Sequence, residues 1–164
     1  MQFAKDSFYI TLRDRLAQVN PERTITANGV AQPAVLLTST LDPPSAALPK
    51  DCFLLSFGAA ETARGFARCC EPLMGIACKI RYSTAGTAVD ASDRDRALTA
   101  LDTELLKIAE PPLGAKMDYT QTPPTDLGQQ IFWQRPQLGE SVDADATLSR
   151  TATLTLFFHC EVSQ

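Results

Sequence analysis

From Leu148 to Val162 the chain alternates apolar and mixed residues: Leu154, Leu156, Phe158, Cys160 and Val162 against Thr153, Thr155, Phe157, His159 and Glu161. A period of two over that length specifies an extended strand with one face turned to a core. It lies two residues from the last one, Gln164, so the end of the chain is expected to be ordered within a sheet. A strand needs partners and a covered face, so the rest of the chain must supply other strands and packed helices. One face of this strand is apolar. The other, with its threonines, Phe157 and His159, must meet water, a loop or a neighbouring subunit.

The remaining elements follow from their own periods. Residues 7–19 read as a helix whose stripe is Phe8, Leu12, Leu16 and Val19, opened by Asp6 or Ser7 and stopped at Asn20-Pro21. Thr24–Ala27 reads as a short edge strand before an Asn28-Gly29 turn. Ala34–Ser39 and Cys52–Phe57 are strands, the second apolar enough to be buried on both faces, and the proline-bearing stretch 41–51 between them is a loop. Cys78, Ile80 and Tyr82 alternate with Lys79 and Arg81, which leaves a wet or contact face. A helix over 91–109 presents Leu98, Leu101, Leu105 and Ile108 inward, with Ser92 and Asp95 resembling a capping box and Pro111-Pro112 ending it. Asp93, Arg94, Asp95, Arg96 and Glu104 form its charged outer surface.

Two stretches resist this reading. Residues 59–70 fit a short helix, an extended arm or a loop, and 71–75 look like a turn. The Pro-, Gln- and Gly-rich stretch 111–146 reads as one long connection, carrying an acidic run at Glu140, Asp143 and Asp145. Ile131-Phe132-Trp133 within it fits a short strand paired with the last one. A connection of about 35 residues is long enough to imply a role in contacts. The expected fold is therefore α+β: a single mixed, mainly antiparallel sheet with two main helices packed on one face. Residues 1–164 form one domain, with extended loops at about 58–76 and 111–146.

The chemistry-bearing residues are sparse. His159 is the lone histidine, and there is no Gly-x-Ser-x-Gly elbow, phosphate-binding loop or dinucleotide fingerprint around which a reaction would be built. Five cysteines, an odd number, argue against a disulfide framework. Cys52, Cys78 and Cys160 read as small buried hydrophobes. Cys69-Cys70 with Cys78 gives a spacing that matches no common zinc site; a metal set of these three with His159 is the minor alternative. No cofactor and no metal is expected. A net charge of −4 disfavours broad adhesion to nucleic acid. No apolar run is long enough for a membrane-spanning helix, and the start lacks a signal peptide's pattern, which together imply the cytoplasm. Trp133, the lone tryptophan, reads as a core anchor or an interface residue.

Three segments together carry a family resemblance: Ile80-Arg-Tyr-Ser-Thr-Ala-Gly-Thr87 running into the 91–109 helix, Ile131-Phe132-Trp133, and Arg150-Thr-Ala-Thr-Leu-Thr-Leu-Phe-Phe158. In order and pattern the chain resembles the tail terminator (tail completion) proteins of long-tailed phages and prophages. The paired cysteines of 59–76 have no counterpart in that pattern. The resemblance implies a structural protein, not an enzyme: a ring, hexameric in that family, on the head-proximal end of the tail tube. The ring stops tube polymerisation and offers the surface for joining the head. Its partners would be other copies of itself, the tail-tube protein and a head-completion or connector protein. DNA would only pass through its channel, no membrane would be involved, and its place would be the neck end of a virion tail assembled in the host cytoplasm. Candidate contact residues are Trp133, Phe132, Arg64, Arg68, Arg94, Arg96 and Phe157. The alternatives are another ring component of the same particle, either a head–tail connector or a tail-tube subunit, and a small cysteine-dependent enzyme with His159 as base.

Overall fold

A computed structural model describes residues 1–27, 29–39, 49–62, 73–86, 91–144 and 146–159. Helix α1 spans Gln2–Val19 and buries Ala4, Ser7, Phe8, Leu12 and Leu16. It begins one turn earlier than the apolar stripe alone indicates. Met1 takes the cap position without a side-chain hydrogen bond, and Val19 stays 41% exposed. Strand β1 (Thr24–Ala27) pairs antiparallel with β2 (Val30–Pro33), joined through Gly29 at φ 77. This hairpin is a sheet of its own, so β1 is not an edge strand of the main one.

The main sheet holds seven strands. They are β3 (Val35–Leu37), β4 (Phe53–Thr62), β5 (Leu73–Thr84), β6 (Leu113–Asp118), β7 (Thr125–Trp133), β8 (Gln137–Ala144) and β9 (Thr147–His159). The order is β3-β4-β5-β9-β7-β6, with β8 also on β9. Only the β3–β4 pair is parallel, so the class is α+β with a mixed, mainly antiparallel sheet. The long terminal strand organises it. One edge of β9 pairs with β5 from Leu73↔His159 to Thr84↔Leu148. Its other edge is shared end to end by β8 (Gln137↔Thr153 to Ala144↔Thr147) and β7 (Ile131↔Phe158 to Trp133↔Leu156).

Helix α2 spans Ala91–Ile108. Its inward residues Leu98, Leu101, Leu105 and Ile108 join Phe8, Leu12 and Leu16 of α1 in one core. The sheet contributes Val35, Phe53, Leu55, Ile76, Cys78, Ile80, Tyr82, Ala152, Leu154, Leu156 and Phe158 to the same core. Ladder register places these strand residues on one face, because Leu55↔Ile80↔Ala152 and Phe57↔Cys78↔Leu154 lie side by side. Asp102 ties α2 to the sheet. The Tyr82 hydroxyl donates to Asp102 Oδ1 at 2.6 Å, and Arg150 is ion-paired with the same carboxylate. Two residues further along the helix, Glu104 accepts from Asn20 and is ion-paired with Arg23.

Several expectations change. The stretch 111–146 is no loop, because it carries β6, β7 and β8. Glu140 and Asp143 accordingly sit in β8, and Asp145 lies outside the described residues. The indecision at 59–70 resolves to strand for 59–62, while 63–70 lie outside the described residues; Leu73-Met74-Gly75 starts β5 and makes no turn. Ser92 is inside α2, where its hydroxyl accepts from Arg96 at 3.2 Å, so it is not the capping residue. The strand 52–57 is buried on both faces at Phe53–Ser56, as its apolar run indicates.

Candidate assembly surface

The face of the sheet opposite the core is set by the odd positions of β5 and β9. Register lines up Gly75 with Phe157, Ala77 with Thr155, Lys79 with Thr153 and Arg81 with Thr151. These threonines and Phe157 are partly or fully exposed, unlike their neighbours at Leu154, Leu156 and Phe158. The sequence alternation in β9 thus separates a core face from an open one. Phe132 of β7 lies opposite Phe157 and stacks on it, ring centroids 5.6 Å apart. A side-chain pair of this kind across adjacent strands stiffens the ladder locally.

A trough runs along this face. At one end, a cleft of about 460 Å³ is lined by Ala59, Glu61, Thr62, Gly75, Ala77, Thr155 and Phe157. A second of about 230 Å³ shares Ala77 and Thr155 with it and continues to Lys79, Thr153, Gln134 and Gln137. Small side chains make its floor. A Cβ at Gly75 would touch Thr155 Cγ2 at 3.4 Å and Phe157 Cε1 at 3.5 Å. Glu61 lies with Phe157 in the first cleft, and Lys79 lines the second.

Beside the trough the β6–β7 hairpin extends past the main ladder. Residues 125–130 of β7 lie before the first residue paired with β9, Ile131, and there pair with β6. Residues 120–128 are exposed. Local side chains shape the tip: Asp118 Oδ1 accepts from the Thr120 amide at 2.8 Å, and Asp126 Oδ1 accepts from the Gly128 amide at 2.8 Å. Gly128 has φ 66, a conformation that glycine adopts without a Cβ penalty. The hydrogen bonds from Thr120 hold the Asp118 carboxyl below its usual range.

The base of this hairpin is strongly anchored. The Ser7 hydroxyl accepts from the Met117 amide at 2.9 Å. Arg15 donates to the carbonyls of Ile108, Pro111 and Leu113. Lys116 is fully buried and donates to Gln129 Oε1 at 2.9 Å and to the His159 carbonyl at 3.0 Å, with Phe158 5.8 Å away. A buried cation costs desolvation that only such donors, acceptors and ring contacts offset.

The candidate contact residues divide. Phe132 and Phe157 are together on the open face. Trp133 is not on a surface: it is 4% exposed, packs edge-on to Phe8 at 5.0 Å, and donates from Nε1 to the Ala109 carbonyl at 2.8 Å. Its neighbour in sequence alternates to the other face, which is why one of the pair is core and the other open. Arg94 pairs with Asp143 at 3.0 Å and so bridges α2 to β8. Arg96 is exposed and donates to Ser92. Arg64 and Arg68 lie outside the described residues. Pattern reading missed Lys116 and Asp102, since a lone charge in a weakly alternating strand or on a helix reads as solvated.

Of the residues considered for chemistry, Cys52, Cys78 and His159 are among the described ones. Cys69, Cys70 and Cys160 lie outside the described residues. Burial pushes the Cys52 thiol up to about 12 and the Cys78 thiol higher still, the reverse of what a nucleophile needs. His159 Nδ1 is buried without a hydrogen-bond partner. Among the described residues, no group of three or more His, Cys, Asp or Glu gathers to hold a metal, and no helix is long and apolar enough to cross a membrane.

No family model matches this chain, and no curated protein matches it. Among solved structures it is similar to a chain of a structure described as "Virion of native gene transfer agent (GTA) particle". That likeness has a TM-score of 0.38 at 13% identity and covers 95% of this chain and 94% of that one.

Proposed function

We propose that this chain is a structural subunit of a phage or phage-like tail, forming a ring that caps the head-proximal end of the tail tube. The ring ends tube polymerisation and presents the surface on which the head joins. Six copies would close it, as the sequence resemblance implies. The likeness in 80–87, 131–133 and 150–158 supports this reading, and one structural observation carries it. The chain offers two unlike surfaces, a concave trough on the open sheet face and a protruding, anchored hairpin. Head-to-tail association needs two different patches and makes a ring when the rotation closes. Stacked Phe132 and Phe157 fit the aromatic enrichment of interface cores.

The partners on this reading are other copies of the chain, a tail-tube protein and a head-completion or connector protein. DNA would pass through without stable binding, in keeping with a net charge of −4. The extended β6–β7 hairpin also favours a second reading, a tail-tube subunit, in which such hairpins pair between neighbours.

Light scattering of the purified protein, with negative-stain images of the same sample mixed with tail tubes, tests the proposal. Closed rings, or a cap on one tube end, are expected. Open-ended tubes built from this chain alone would favour the second reading. His159→Ala should leave assembly intact; its loss in a variant that folds normally would count against a purely structural role.

A further inference from the structure

Glu61 is an exposed carboxylate with no hydrogen-bond or ion-pair partner among the described residues. It stands in β4 opposite Gly75, in the first cleft of the trough. The rest of that cleft is uncharged, with Phe157 as its one aromatic wall. Phe132 stacks on the Phe157 ring, and the Cδ1–Cε1 edge of the ring lies toward Gly75, where the missing Cβ leaves space. A carboxylate beside an aromatic ring and open space suits a guanidinium. Its planar fork pairs with the carboxylate while its flat face lies on the ring, a fit that a compact ammonium does not match. Among the described residues, the cations without a partner of their own are Lys50, Lys107 and Arg135, and of these Arg135 is the guanidinium. Arg135 is exposed on the short link between β7 and β8, and the link is held on both sides of it. The Gln134 amide donates to the Thr155 carbonyl at 3.0 Å, and Pro136 is buried. Strand order puts the two charges on opposite sides of the β5–β9 pair, Glu61 on β4 and Arg135 after β7.

We infer that the Glu61 cleft receives Arg135 of a second copy of this chain, its guanidinium paired with the carboxylate and lying on the Phe157 ring. This rests on the ring reading above and deepens it by naming the side chains that meet. A carboxylate on one side of the sheet and its cation on the other give each copy the two unlike patches that head-to-tail association uses. The backbone around Arg135 is fixed before any contact forms, so the ordering cost at association falls on the side chain alone. Opposite charges at an exposed contact mainly set partner register and encounter rate, so the contact should weaken as salt rises.

The test uses the full-length protein and reads association by light scattering. Glu61→Arg and Arg135→Glu each set like charges against one another at every contact. Each variant alone should associate on the order of tenfold more weakly than wild type. An equal mixture of the two should recover wild-type association, because alternating copies then meet with opposite charges. Both substitutions in one chain should recover it as well. Both side chains are exposed, so the melting temperatures should stay at the wild-type value. Glu61→Gln and Arg135→Gln, which should weaken association in the same direction, replace any swap that fails to fold. Single variants that associate as wild type does, or a mixture that stays as weak as its components, would overturn the inference and leave the ring reading standing. A wild-type protein that stays monomeric both alone and with tail tubes would overturn both.

Discussion

Two sheet residues, the buried Tyr82 and the partly buried Arg150, converge on Asp102, and its removal should be costly. Tyr82 is fully buried and donates its hydroxyl to Asp102 Oδ1 at 2.6 Å. Arg150 is ion-paired with Asp102, their side chains 21% and 12% exposed. In Asp102→Ala the tyrosine hydroxyl loses its acceptor, which costs about 1–3 kcal/mol for a buried donor. Arg150, whose Nε is already buried without a partner, loses its counter-charge. Breaking a fully buried pair costs about 3–5 kcal/mol, and this pair, still partly wetted, should cost roughly half that. The two losses share one residue and are not additive, so the expected total is about 3–4 kcal/mol. For a chain of this size that lowers the melting temperature on the order of 10 °C. Asp102→Asn keeps an acceptor for Tyr82 and should lose about half as much, whereas Tyr82→Phe should lose about 1 kcal/mol. Urea titration at one fixed protein concentration measures all three, since any ring would couple stability to concentration. An Asp102→Ala variant within about 0.5 kcal/mol of wild type would refute the claim that this carboxylate fastens α2 to the sheet.

Other predictions rest on single features. Trp133→Phe removes the donor to the Ala109 carbonyl and part of the contact with Phe8, and should destabilise by about 1–2 kcal/mol in the same titration without altering assembly. Gly139→Ala places a Cβ 2.8 Å from the Thr151 carbonyl oxygen, so β8 should separate from β9 locally, and faster amide exchange confined to residues 137–144 would show it. The Cys52 thiol, held protonated by burial up to about 12 against an ordinary value of 9.0, makes stability fall with pH. The unfolded thiol ionises first, so its contribution is intact below about pH 9 and is lost progressively up to about pH 12. Cys52→Ala should flatten that part of the stability-versus-pH curve. An unchanged slope would show that other groups govern alkaline unfolding.

The elements legible in the sequence are those whose own residues repeat with the right period. The stripe of Phe8, Leu12 and Leu16 and that of Leu98, Leu101, Leu105 and Ile108 mark both helices, and all seven residues are buried. The alternations in 78–82 and 154–158 mark the central strands and separate their two faces. The pairing of Ile131-Phe132-Trp133 with the last strand was likewise readable from its apolar character. These signals are local, because each element carries its own hydrophobic face into the core.

Tertiary structure decided the rest. Leu-Gly-Ala-Lys-Met-Asp at 113–118 and Gln-Leu-Gly-Glu-Ser-Val-Asp-Ala at 137–144 have no strand period and little β-propensity, yet both are strands. Their conformation comes from ladder hydrogen bonds offered by β7 and β9, and edge position relieves them of the need for an apolar face. The inward charge of Lys116 is set the same way. Its strand register points it at the core, and Gln129 Oε1 with the His159 carbonyl, distant in sequence, accept its hydrogen bonds. Trp133 is core and Phe132 open for a reason of parity that only the register with β9 fixes. Local pattern determines which segments carry an apolar face; the partners that complete hydrogen bonds across the sheet determine which weakly patterned segments become strands and where their side chains point.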